Sequence, residues 1–186
     1  MRKIVTLAAL ILPGAAMAHP GHETAGLVAG LSHPLSGADH ALAMIAVGLL
    51  ASQLGVRALW AAPLAFVASM LAGSALGHIW PALSGVEPMI IASVILLGAA
   101  VALARPLPFV SVLAMLAVFG LAHGAAHGAE GPAAGLLPYA AGFAAATVAL
   151  HGLGAGLGLA LARLPGAQRA LGGMTMMAGV ALALAG

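Results

Sequence analysis

Apolar stretches of about the length that crosses a bilayer alternate along this chain with short segments holding Arg, Glu or Pro-Gly. A hydrocarbon core of about 30 Å takes roughly 20 apolar residues of helix. The pattern therefore predicts six spans: Ser36 to Leu54, Ala58 to Trp80, Pro88 to Ala104, Leu107 to Ala126, Pro138 to Ala162 and Ala170 to Ala185. They use nearly the whole chain and leave no soluble domain, so any activity has to sit in or between the helices. Small residues recur four apart inside them, at Gly120, Gly124 and Gly128 and from Gly152 to Gly158. Such stripes let helix backbones approach closely in lipid.

The amino terminus has a different pattern. Residues Met1 to Ala18 combine a basic start (Arg2, Lys3), a short apolar stretch, a Pro13-Gly14 breaker and Ala16-Met17-Ala18. This is the layout of a cleavable signal peptide. The expected architecture is an all-α membrane protein: a signal peptide over residues 1–18, then a single bundle of six transmembrane helices over 19–186. The mature chain would begin at His19, outside the inner membrane. Alternating six spans from that side puts Arg57, Arg105, Arg163 and Arg169 in the cytoplasm and Glu23, Glu87 and Glu130 outside, as the positive-inside rule requires. Trp60 and Trp80 close the two ends of the second span, about 30 Å apart at the helical rise.

Composition sharpens this picture. Of 186 residues, 63% are hydrophobic and 5% charged, with a mean hydropathy of +1.14. A soluble domain carries roughly a quarter of its residues charged, so that class is excluded. The sequence pI near 10 reflects six basic against four acidic side chains without any basic stripe, which argues against a nucleic-acid partner. There is no cysteine, hence no disulfide framework, iron-sulfur centre or thiolate cage. The unusual count is eight histidines.

Ionisable groups in a membrane are costly and usually mark function. In the fourth span, His123, His127 and Glu130 stand at i, i+4 and i+7, one face of a helix. Two imidazoles and a carboxylate suit a divalent transition metal. Gly124 and Gly128 could seat a neighbouring helix beside them. At the start of the first span, His33, Asp39 and His40 form a second group, with Pro34 suited to a first helical turn and His33 to its cap. Asp39 either binds metal directly or orients a ligating histidine. His78 and Glu87 lie at outer ends of the second and third spans, and His151 near the midplane of the fifth; His78 and His151 are either satisfied by neighbouring polar groups or part of a pathway. His19 and His22 lie on the exported tail.

At these two groups the sequence resembles the HupE/UreJ family of hydrogenase and urease accessory membrane proteins. The family pattern HPxxGxDH is matched by His33, Pro34, Gly37, Asp39 and His40. The pattern FHGxAHGxE is matched by His123, Gly124, Ala126, His127, Gly128 and Glu130, with Ala122 replacing the usual Phe. The resemblance implies a permease rather than an enzyme, importing Ni²⁺ or Co²⁺ as cargo with no prosthetic group, linked to maturation of a hydrogenase or urease. The matched motifs imply metal ligands at His33, Asp39, His40, His123, His127 and Glu130; His78, His151, Glu87, His19 and His22 are further candidates from their own positions along the chain. Two other classes compete: a metal-binding chaperone or sensor without transport, and an intramembrane metalloenzyme. The absence of an HExxH motif weighs against the metalloenzyme, and the absence of a P-loop makes the membrane potential the expected driving force.

Overall fold

A computed structural model describes residues 26–132 and 135–185. The expected signal peptide and the histidines of the exported tail, His19 and His22, lie outside the described residues. Among the described residues the chain is helical throughout: α1 (Leu27–Ser36), α2 (Ala38–Leu54), α3 (Val56–Ile79), α4 (Val86–Leu103), α5 (Phe109–Glu130), α6 (Leu136–Ala160) and α7 (Pro165–Ala185).

Four of these helices, α3 to α6, are long and apolar enough to cross a membrane, and the α1–α2 pair makes five if its two bent parts count as one span. This is a membrane protein. The expected last span corresponds to α7, which begins earlier, at Pro165, where a missing N–H is harmless. Gln168 and Arg169 in its opening turns leave an apolar part from Ala170 to Ala185 of only about 24 Å.

The first span departs most from expectation. Pro34 does not open a helix. It lies in the last turn of α1, and the chain turns by 89° before α2. Proline has no N–H to offer the carbonyl four residues back, and Gly37 is extended (φ −107°, ψ 123°), so the helix cannot continue. The Ser36 hydroxyl donates to the His33 carbonyl (2.6 Å), satisfying one group left open in that last turn. His33 therefore belongs to the end of α1, not to the cap of the following helix.

Helix α3 packs chiefly on α5, α4 on α7, and α2 on α6 and α4, while α1 lies against α6. Gly120, Gly124 and Gly128 of α5 meet the backbone carbonyls of Phe66, Met70 and Ser74, while Gly73 and Gly77 of α3 meet those of Leu121 and Ala125. A methyl group at any of these positions would occupy the neighbouring backbone. The glycine stripe read in the sequence thus does seat a helix beside the histidines, and that helix is α3. In the second stripe, Gly154 and Gly158 face α2, whereas nothing lies near Gly152 or Gly156.

The bundle is polar in opposite ways at its two ends. One end carries the α2–α3, α4–α5 and α6–α7 connections with Arg57, Arg105, Arg163 and Arg169. There the Arg57 guanidinium sits 4.7 Å from the centre of the Phe109 ring, and Arg169 Nε donates to the Ala102 carbonyl (2.9 Å). The histidine groups occupy the other end.

Candidate metal centre

The bend between α1 and α2 brings His33, from the end of one helix, and His40, from the start of the next, against the last two turns of α5. Two sets of three residues result, each offering ligand atoms within 4.8 Å of one another: His40, His123 and His127, and His33, His127 and Glu130. His127 belongs to both. The two motifs, about 90 residues apart in sequence, therefore form one centre, and α5 contributes to both halves of it.

The rings are tightly arranged. His127 lies 4.6 Å from His33, 4.5 Å from His40 and 3.9 Å from Phe143, measured between ring centres, and His40 lies 4.8 Å from His123. His123 and His127 are fully buried. Tyr139 and Phe143 of α6 wall the His33 side.

Donor accounting decides which ring nitrogens carry lone pairs. His40 Nδ1 lies 2.8 Å from Asp39 Oδ1; an ionised carboxylate only accepts, so Nδ1 holds the proton and Nε2 the lone pair. The same oxygen accepts the His40 backbone N–H (2.8 Å), one of the open donors in the first turn of α2, where a negative charge also meets the helix dipole. His123 Nε2 lies 3.0 Å from the Ser93 hydroxyl. That hydroxyl spends its single proton on the Ile90 carbonyl (2.6 Å), so it accepts from Nε2–H and leaves the lone pair on Nδ1. His40 Nε2, His123 Nδ1 and both nitrogens of His127 are buried without a hydrogen-bond partner. Buried polar atoms are ordinarily paired. Here His40, His123 and His127 each offer one ligand atom within 4.8 Å of the other two, as ligands for a cation would.

Charge compensation comes from an unexpected breadth of helices. His33, Asp39, His40, His127, Glu87 and Glu130 line one cavity of about 240 Å³. Six waters of a hydrated divalent ion occupy about 180 Å³ at 30 Å³ each, so the cavity has room for an ion that still holds its water. Glu87 stands in the first turn of α4. Three of the chain's four acidic residues thus share one cavity. Glu130 is half exposed, accepts from His33 Nε2 at 3.0 Å and stands 3.9 Å from His127 Nδ1.

Two candidates lie elsewhere. His78 is exposed near the end of α3 and joins neither set. His151 is buried in α6 and shares the Phe66 ring with His123: the ring centre is 5.4 Å from the His123 imidazole and 5.2 Å from that of His151. Ser93 escaped the sequence reading because it is a lone hydroxyl in an otherwise apolar helix, and only the packing of α4 beside α5 reveals its partner. Phe66, Tyr139 and Phe143 escaped it too, since an aromatic residue in a membrane helix has no signature that separates a site wall from lipid-facing bulk.

Comparison with known proteins agrees with the two motifs. The family description HupE / UreJ protein matches residues 7–182. Protein HupE of Rhizobium leguminosarum bv. viciae is 44% identical over 183 residues, covering 94% of this chain and 96% of the relative. No solved structure matches. With both motifs gathered into one centre and the match running nearly end to end, the chain belongs to the HupE/UreJ family.

Proposed function

We propose that this protein is an inner-membrane permease that imports Ni²⁺, or Co²⁺, for metallation of a nickel enzyme such as a hydrogenase or urease. It would act as an accessory transporter and not as a catalyst. In this reading the bent α1–α2 pair is the first of six spans and α7 the last, with the mature amino terminus periplasmic. The arginine end then faces the cytoplasm and the histidine centre faces the periplasm.

The observation that carries the reading is the convergence of His33, His40, His123 and His127 with Asp39, Glu87 and Glu130 at the end opposite the arginines. Imidazole and carboxylate together suit Ni²⁺ and Co²⁺. The carboxylates draw the hydrated ion into the cavity, and the unpaired nitrogens replace part of its water. Asp39 and Ser93 hold the His40 and His123 rings with their lone pairs inward, as partners of metal-bound histidines do. His19 and His22 on the exported tail would raise the local metal concentration. An inside-negative potential supplies about 4.6 kcal/mol per 100 mV for a divalent cation, twice the single-charge value.

Flux of radiolabelled Ni²⁺ into proteoliposomes containing only this protein tests the proposal. Accumulation that depends on an inside-negative potential is the expected result. Binding without flux would overturn it in favour of a chaperone or sensor.

A further inference from the structure

Among the described residues, His151 is the one fully buried histidine that the outer centre does not use. It is 1% exposed, and neither ring nitrogen has a hydrogen-bond partner. A structural histidine at such depth would be expected to hold a carbonyl or hydroxyl. Its imidazole instead meets the edge of Phe66, with ring centres 5.2 Å apart and planes at 88°.

The position of that contact is set by two adjacent rungs between α3 and α6. Thr147 Oγ1 donates to Met70 Sδ (3.6 Å), and one helical turn further from the outer centre Phe66 meets His151. His123 of α5 lies 5.4 Å from the same Phe66 ring. Phe66 is fully buried, and its carbonyl is held against Gly120. The ring is therefore in contact with both imidazoles. Beyond His151, α6 continues past Gly154, against Ile45, to Gly158, which meets the Ser52 hydroxyl. That step is about 10 Å at the helical rise. Ser52 opens onto a polar cavity lined also by Gln53 and Gln168 at the arginine end. Along the bundle the order is outer centre, the Phe66–His151 contact, polar cavity.

We infer that His151 is a second cation station inward of the outer centre, beside the Phe66 ring, where a borderline divalent ion is handed from the lone pair of His123 Nδ1 to a single neutral imidazole before reaching the Ser52 and Gln53 cavity. This deepens the permease reading and rests on it. The outer centre has several imidazoles and three carboxylates and holds the ion firmly. One imidazole without a carboxylate holds it weakly, and an ion that has to leave requires weak successive sites.

The absence of cysteine makes a direct test available. In the His151→Cys variant of the full chain, purified in detergent, the single thiolate binds Co²⁺ as a soft ligand and gives a sulfur-to-metal charge-transfer band. The wild type, with no thiolate, lacks that band. In proteoliposomes His151→Gln is expected to slow Ni²⁺ uptake on the order of tenfold while the affinity of the outer centre changes less than about twofold, since only the inner step is weakened. Retained outer binding in both variants also reports that they fold. No charge-transfer band in His151→Cys, or wild-type uptake by His151→Gln, overturns the station. Absence of flux in the wild type overturns the permease reading instead, and the band then still decides whether metal reaches position 151.

Discussion

Replacing His127 by Leu separates what the centre costs the fold from what it does for the metal. His127 is 1% exposed, neither ring nitrogen has a partner, and Glu130 at 3.9 Å is beyond hydrogen-bond reach. An unpaired buried polar atom costs about 1–3 kcal/mol. Leucine removes two such atoms at similar volume. Against this stand a shape mismatch of up to about 1.5 kcal/mol and the aromatic contact with Phe143, worth about 0.5–1.5 kcal/mol. Central values leave the metal-free His127→Leu protein more stable than the wild type by about 1–2 kcal/mol. The metal response should run the other way. Because His127 belongs to both ligand sets, its loss should weaken Ni²⁺ binding by more than the roughly 10–100-fold that follows from losing a partner of a metal-bound histidine. Ni²⁺ at a hundredfold excess over its dissociation constant would stabilise the wild type by about 2.7 kcal/mol, and the variant would gain almost nothing. Thermal unfolding in detergent, followed by loss of helical signal with and without Ni²⁺, reads both effects. A metal-free variant less stable than the wild type by more than about 1 kcal/mol would refute the accounting, because the nitrogens would then have to be satisfied.

Other substitutions probe the supports of the centre. Ser93→Ala removes only a support of the His123 ring and Asp39→Asn a support of the His40 ring that is also a candidate ligand; each should lower Ni²⁺ affinity about 10–100-fold, measured by isothermal titration, and unchanged affinity in Ser93→Ala would mean that ring orientation is set elsewhere. Gly124→Ala places a methyl into the Met70 carbonyl and should cost folded yield and stability. Gly156→Ala meets nothing within 4 Å and should stabilise α6 by up to about 1 kcal/mol through helix propensity, so equal melting of the two variants would contradict the α3–α5 packing. His78→Ala, exposed and apart from both ligand sets, should take up Ni²⁺ at the wild-type rate in proteoliposomes.

The helical class was legible because hydropathy is a local property. A run such as Met89 to Ala104 has few ways to satisfy its backbone in lipid except by forming a helix. The pairing of His123 with His127 was legible for the same reason, since four residues along a helix return to the same face. The break at Gly37 was harder to place. Pro34 is compatible with the first turn of one helix and the last turn of another, and the sequence does not say on which side the helix lies. The Leu27 to Ser32 segment, which lies outside the six expected spans, folds as part of helix α1 against α6, where Gly30 and Gly142 allow close backbone contact. Such a contact involves residues more than a hundred positions apart and leaves no local pattern.

The sequence by itself therefore determined that this is a helical membrane protein with its arginines at one end and its histidines and carboxylates toward the other, because the cost of placing a charge or an open backbone group in lipid is paid residue by residue. Only the tertiary structure decided that the two motifs form one centre sharing His127, that Glu87 completes its carboxylates, that Ser93 and Asp39 turn lone pairs inward, and that Phe66 touches both His123 and His151. Those relations depend on which helices are neighbours and on their rotation about their own axes. Close packing of small residues between helices sets both, and hydropathy along a single helix carries no record of it.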